Sequence, residues 1–395
     1  MLELNGKYNK AKVFTNNIES MAISQIIDLC NQRFAKDSKI RIMPDVHAGA
    51  GCTIGTTMTI TDKVVPYLVG VDIGCGMLCV KIADKEIDFE KLDKLIRQNI
   101  PHGFSIHKKS RVDEAVLHLQ DLNCYTNINS DRALKSVGTL GGGNHFIEID
   151  KDEEGNFYLV IHTGSRNLGK QIAEHYQKLA AKKLNDNRKI KEELINKLKI
   201  EGKEKEIQKE LKELQIKKVP EHFAYVEGQD LEDYLKDIEI AQSYATINRI
   251  EIASIIINGM GWKTCGSFTT IHNYIDTKER ILRKGAISAN LGERVLIPMN
   301  MKDGSIIAVG RGNEDWNCSA PHGAGRIMSR RQAKEKVDLE EFKISMKDIY
   351  STSVNKNTID EAPMVYKPME EIIKNINETV VIEKIIKPVY NFKSN

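Results

Sequence analysis

Apolar and polar positions change their period several times along this chain, and each change marks a different kind of element. From Met43 to about Asp84 the residues are mostly Gly, Val, Ile and Thr, and Thr53–Thr61 and Met77–Ile82 read as strands separated by glycine-rich turns. From Phe89 to Leu122 the pattern becomes helical and polar. Ser136–Asp150 is a glycine run leading into a short strand, and Phe157–Thr163 is a further strand ending in Thr163-Gly164-Ser165-Arg166. A helix is predicted across Asp230–Ile257. Strand and turn patterns return from Gly266 to Gly310, and after Ser319–Arg330 short helices and strands alternate.

One segment stands apart. No proline occurs between Pro101 and Pro220, and Lys, Glu, Leu, Ile and Asn dominate from Gln171 to Lys218. Apolar residues recur there at helical spacing: Ile190, Leu194 and Leu198, then Ile207, Leu211 and Leu214, with Gly202 as the turn. This predicts an inserted, charged helical hairpin over 171–220 that projects from the body. Its mixed signs favour a solvated, salt-bridged arm over a nucleic-acid grip. The chain as a whole reads as α+β, with mixed sheets flanked by helices. No repeat or low-complexity linker divides it, so one interwoven unit over 1–395 is expected.

Composition narrows the class. Of 395 residues 41% are hydrophobic, enough for a sizeable core and too many for global disorder. A net charge of +3 neither demands nor excludes a polyanionic partner. The N-terminal residues lack a basic stretch followed by an apolar run, and the most apolar stretches, such as Ile252–Asn258, are too short to span a bilayer. Seven cysteines without paired spacing point to a reducing compartment, with the thiols as core filler or ligands. The expected location is the cytoplasm, without membrane association.

Candidate chemistry gathers around histidines and glycines. Of ten histidines, His47, His145, His162, His272 and His322 sit in glycine-rich or polar contexts that let a ligand approach the backbone. Asp72 and Cys75, within Gly70-Val71-Asp72-Ile73-Gly74-Cys75-Gly76, offer a hard oxygen and a thiolate in one turn. Together with histidines they suit zinc, manganese or iron; on spacing alone a buried structural cysteine beside a turn aspartate stays open. Gly164-Ser165-Arg166-Asn167-Leu168-Gly169-Lys170 imitates a P-loop, but Gln171 stands where Ser or Thr should hold magnesium, which rules out a standard Walker motif. A helix N-terminus beside Arg166 and Lys170 can still receive an anion. In Ser319-Ala320-Pro321-His322-Gly323-Ala324-Gly325-Arg326, a histidine among small residues leaves room for a phosphate and suits a covalent nucleotidyl intermediate. A glycine-rich turn with a capping histidine is the competing reading.

Taken together, these stretches resemble the RtcB family of tRNA-splicing and RNA-repair ligases. The resemblance is carried, in family order, by Met43-Pro44-Asp45-Val46-His47-Ala48-Gly49, by the Gly70–Gly76 loop, by Leu140-Gly141-Gly142-Gly143-Asn144-His145-Phe146-Ile147-Glu148, by His162-Thr163-Gly164-Ser165-Arg166, by His272-Asn273 and by His322-Gly323-Ala324-Gly325-Arg326. It covers nearly the whole chain outside the insertion.

The resemblance implies a GTP- and manganese-dependent RNA ligase. It would join a 3′-phosphate or 2′,3′-cyclic phosphate end to a 5′-hydroxyl end through a guanylyl-histidine and an RNA-(3′)pp(5′)G end. It implies that Cys75, His162 and His272 hold one manganese ion and that Asp72, Cys75 and His145 hold a second, with Cys75 bridging. His322 becomes the nucleophile, with Asp45 and Arg166 in the catalytic set. Asn144, Glu148, Asn273, Asn300, Gly323, Ala324, Gly325, Arg326, Tyr366 and Lys393 fall to GTP. RNA and GTP are the implied partners, with room for an activating protein. Asn300 stands where the main family group has a serine, and the chain ends Lys393-Ser394-Asn395 instead of Lys-Gly. Both mark a divergent subgroup, suited to RNA repair more than to tRNA splicing. Two rivals remain: a metal-dependent RNA-end phosphodiesterase that does not ligate, and a non-catalytic RNA-binding protein.

Overall fold

The computed structural model describes residues 1–214 and 218–394, and for residues 189 and 190 the backbone alone. The side chain of Ile190, residues 215–217 of the expected hairpin and Asn395 therefore lie outside the described residues. The chain is α+β, built on two principal sheets. The first has six strands in the order Leu2–Asn5, Lys10–Val13, Ile40–His47, Ile54–Thr59, Ile281–Lys284 and Asn273–Asp276, with only Lys10–Val13 and Ile40–His47 parallel. The second is antiparallel throughout, in the order Thr264–Ile271, Gly76–Ile82, Phe157–Thr163, Phe146–Lys151, Val380–Lys393, Gly304–Gly310 and Arg294–Asn300.

Alternation along the second sheet decides where chemistry can occur. Every residue of Phe157–Thr163 is buried, so both faces are covered. Leu159 and Ile161 pack in a core with Ile147, Ile149, Tyr390 and Phe392. Tyr158 and Val160 face the other way, against Met77, Cys79 and Phe146. Side chains two apart share a face. Parity therefore places Cys75, Glu148, His162, Asn391 and Lys393 on the Met77–Phe146 face, near its end.

The helix Gln229–Met260 joins the two cores. Tyr234, Ile238, Ala241 and Tyr244 belong to one, and Ile252, Ala253 and Ile256 to the other. Asp230 and Glu232 favour its first turn, and Gly261, at φ +74°, ends it in the left-handed region that glycine enters without a Cβ clash.

Three expectations need correction. The helical stretch from Phe89 stops at Asn99, because Pro101 disfavours helical backbone at Ile100; short 3-10 turns follow as far as Asn127. The C-terminal part holds short helices and then a single long strand, Val380–Lys393, instead of alternating elements. The excursion begins later than residue 171, since Ile172, Ala173, Tyr176 and Ala180 of the helix Arg166–Leu184 are core. Beyond it lie Arg188–Ile200 and Ile207–Glu213, with Ile200 87% exposed. At the base, the Asn185 side chain donates to Val219 O at 3.1 Å and accepts from Val219 N at 2.9 Å, closing the excursion off from the body.

Candidate active site

Five predicted ligands meet at the end of the second sheet. Cys75 precedes the strand Gly76–Ile82, His162 closes Phe157–Thr163 and His145 precedes Phe146–Lys151. Cys75 Sγ lies 3.3 Å from His162 Nε2 and 3.5 Å from His145 Nε2. His162 Nε2 is 3.4 Å from His272 Nε2, and His145 Nε2 is 3.0 Å from Asp72 Oδ2. The ligand atoms of Cys75, His162 and His272 fall within 4.8 Å of one another, as do those of Asp72, Cys75 and His145. Two sets sharing a thiol is the arrangement two bridged metal ions need, and the N, O and S donors fit a borderline divalent cation.

The surroundings aim these donors inward. His145 Nδ1 donates to Leu140 O at 2.8 Å and His162 Nδ1 to Asn144 O at 3.1 Å, which turns both Nε2 atoms toward the centre, where His145 Nε2 meets the Asp72 carboxylate. Burial, reinforced by neighbouring cationic groups, holds His162 and His272 well below the ordinary histidine pKa, so they remain neutral and able to ligate. Asp72 sits at about 2: burial pushes it up, but the His145 hydrogen bond and charge outweigh that. Gly164 packs on Asp72, where a Cβ would come within 2.2 Å of its carboxylate.

His322 stands across the same cleft, its ring centroid 4.9 Å from that of His272. Its Nδ1 donates to Asp45 Oδ2 at 2.7 Å, and its backbone N–H reaches the same oxygen at 3.1 Å. Asp45 is fully buried on Ile40–His47. A fixed carboxylate on Nδ1 leaves Nε2 as the ring nitrogen open to the cleft. Gly325, at φ +76°, lets the loop pass Asp45, whose carbonyl oxygen would lie 2.3 Å from any Cβ there. His47 also lines the cleft and donates from Nδ1 to Asp45 O at 2.9 Å.

The cleft has a volume of about 950 Å³ and extends from the histidines past Gly323, Ala324 and Arg326 to Tyr366 and Lys393. Glu361 organises that end. It accepts from Lys393 Nζ at 2.9 Å, Tyr366 OH at 2.8 Å, Arg330 at 2.9 Å and Arg326 at 3.2 Å. Burial alone would raise Glu361, yet Lys393, Arg330 and Arg326 hold it down at about 2. Glu148 is different: burial lifts it to about 7, against the Asn391 amide at 2.6 Å and the Lys393 charge. Asn144 and Asn273 line the cleft, and the Asn273 side chain also accepts from Gly285 N. Asn300 lines it too, but its side chain closes a turn through Lys302 N, Asp303 N and the Asp303 carboxylate.

The family model described as tRNA-splicing ligase RtcB matches residues 25–123 and 109–394 of this chain. The chain belongs to the RtcB family. It is 29% identical to the RNA-splicing ligase RtcB of Escherichia coli strain K12, with 94% of each chain covered. It is 24% identical to RNA-splicing ligase RtcB2 of a second Escherichia coli strain, covering 94% of this chain and 90% of the other. To the tRNA-splicing ligase RtcB of Nanoarchaeum equitans it is 25% identical, over 87% and 85%.

One predicted residue of this RtcB chain lies elsewhere. Arg166 lines a neighbouring cavity and not the main cleft. At φ +57° it sits in strained left-handed backbone, and its guanidinium donates to Thr139 Oγ1 and Gly103 O, both at 3.1 Å. Four further residues escaped sequence reading. Arg249, fully buried, donates to Gly74 O at 2.8 Å and Thr163 O at 3.0 Å, clamping the segments that carry Cys75 and His162. Asn248 ties Gly138, Thr139 and Gly164 together. Both are polar residues at buried positions of a largely apolar helix face, as Asp237 is too, and that was the available signal. Asn391 was marked only by its parity with Lys393. Glu361 had no signal beyond its place in Asp360-Glu361-Ala362-Pro363.

Proposed function

We propose that this RtcB-family chain is a GTP-dependent RNA ligase that joins 3′-phosphate or 2′,3′-cyclic phosphate ends to 5′-hydroxyl ends, with residues 1–395 acting as one catalytic unit. One observation carries the reading: a histidine with Nδ1 fixed on a buried carboxylate and Nε2 free shares a cleft with two thiol-linked ligand sets. His322 Nε2 attacks the α-phosphorus of GTP; a P–N bond forms and the bond to pyrophosphate breaks. Asp45 holds the Nδ1 proton and balances the charge that the imidazole gains. An oxygen of the RNA 3′-phosphate then attacks the same phosphorus, the P–N bond breaks and RNA-(3′)pp(5′)G results. The 5′-hydroxyl oxygen attacks the RNA phosphorus, its proton is lost, and GMP leaves. A cyclic phosphate is first opened by water to the 3′-phosphate.

Cys75, His162 and His272, and Asp72, Cys75 and His145, would hold two manganese ions, which supply Lewis-acid stabilisation of phosphoryl oxygens when bound. Arg326 and Lys393 face the phosphates. Glu148 offers carboxylate oxygens to the N1–H and amino donors of guanine, an edge that adenine does not present in the same pattern. Intact-protein mass after incubation with GTP and Mn²⁺ tests the reading. The wild type is expected to gain one GMP and His322→Ala none. Metal-loaded, folded wild type without the adduct would sink it and leave the phosphodiesterase.

A further inference from the structure

A second cavity of about 580 Å³ opens beside the cleft and shares Arg330 and Glu361 with it. Its wall carries Arg132, Arg166, Lys170, Arg330 and Lys334 against two carboxylates, Asp360 and Glu361. Those carboxylates are already paired, Asp360 with Arg330 at 2.7 Å and Glu361 with Lys393 at 2.9 Å. Arg330 is spent in that pairing and Lys170 lies 3.7 Å from Glu174, but Arg132 and Arg166 form no ion pair among the described residues, so the cavity presents surplus positive charge, which suits a phosphate backbone.

At its edge stands Phe104, 95% exposed, the most exposed large apolar side chain among the described residues. The loop beneath it is tied down. Gly103 N donates to Gly141 O at 2.8 Å, Arg166 donates to Gly103 O at 3.1 Å, and Arg132 donates to Phe104 O at 3.2 Å. Two of the cavity's own arginines thus hold the backbone that turns the phenyl ring outward. Gly141, at φ +86°, admits the Arg166 guanidinium to within 1.8 Å of where a Cβ would stand. A fixed loop with an exposed ring beside a cationic cavity has the components of a single-strand platform: phosphates held by charge, bases stacked on an aromatic face.

We propose that Phe104 stacks on a base near the reacting end of single-stranded RNA while the neighbouring arginines hold its phosphates. The inference rests on the RNA-ligase reading above and names where that substrate lies before its end enters the cleft.

The test compares wild type, Phe104→Ala and Phe104→Trp by fluorescence anisotropy, with a labelled 3′-phosphorylated oligoribonucleotide and an abasic strand of the same length. Phe104→Ala is expected to weaken the base-carrying strand by at least about fivefold, leaving the abasic strand and GMP loading of His322 unchanged. Phe104→Trp should restore affinity and add an emission that the base-carrying strand quenches. Equal affinity of wild type and Phe104→Ala for the base-carrying strand overturns the proposal. So does an equal loss for both strands, which would give the ring a merely structural part. Phe104-dependent RNA binding without GMP loading would break the ligase reading and leave the platform standing.

Discussion

On one wall of the cleft, His162 and His272 stand buried and neutral beside Cys75, and His162 gives its Nδ1 proton to a backbone carbonyl so that Nε2 turns to the centre. On the other, Arg326, Arg330, Lys393 and Tyr366 all turn to a single carboxylate, Glu361. Burial keeps His162 and His272 neutral, so an incoming cation would meet donors already aimed at it. The Glu361 wall is charged and satisfied within itself, so an incoming phosphate must share cations that have a partner. On the proposed reading the first arrangement is preorganised for metal, and the second, stable without nucleotide, would yield part of that stability to it.

The largest effect should come from breaking the satisfied wall. Glu361→Gln keeps the volume but leaves Lys393, itself buried, without its carboxylate. Removing one member of a buried ion pair costs about 3–5 kcal/mol. Denaturant unfolding should show that loss in the free protein. GTP should then raise the melting temperature of the variant more than that of the wild type, because triphosphate supplies the missing charge. An equal rise in both proteins would mean that Lys393 and Arg326 do not meet the phosphates.

The two walls also differed in how far they could be read from sequence. Every ligand of the histidine wall stood in a short motif, and glycine marks the tightest of them: Gly164 packs on Asp72, and Gly74 lets the Cys75 loop pass the helix Gln229–Met260. The strands Phe157–Thr163 and Met77–Ile82 were legible as apolar runs, since a sheet covered on both faces has no polar alternation. The Glu361 wall draws on separate segments, at 326, 361–366 and 393, that meet only in the folded chain. No local periodicity encodes such a meeting. Arg249 was missed because a polar residue on a buried helix face does not announce which loops it will hold.

Arg249 gives the next test, now of the histidine wall. Arg249→Met retains the buried stem but removes the donors to Gly74 O and Thr163 O. Loss of an outer partner that orients ligands typically weakens metal binding by about 10–100-fold. Calorimetric titration with Mn²⁺ should show that range, with the fold intact by circular dichroism. Unchanged affinity would mean that the strand ends alone hold Cys75 and His162 in place.

The smallest effect is expected where the two walls meet, at Glu148. Burial raises its carboxyl to about 7, only partly offset by Asn391 and Lys393. Below that pH it is protonated; above it, ionised and acceptor-only, as the donors of guanine require. Affinity for guanosine, which carries no phosphate to titrate, should therefore rise by up to about tenfold between pH 6 and pH 8, following the ionised fraction. Glu148→Gln should flatten the profile, since an amide does not titrate, and should narrow the preference for guanosine over adenosine, since it can donate as well as accept. A wild-type profile that is already flat would put the guanine edge away from Glu148 and assign the raised carboxyl to the fold, where Asp150, two residues along the same face, is raised by burial as well.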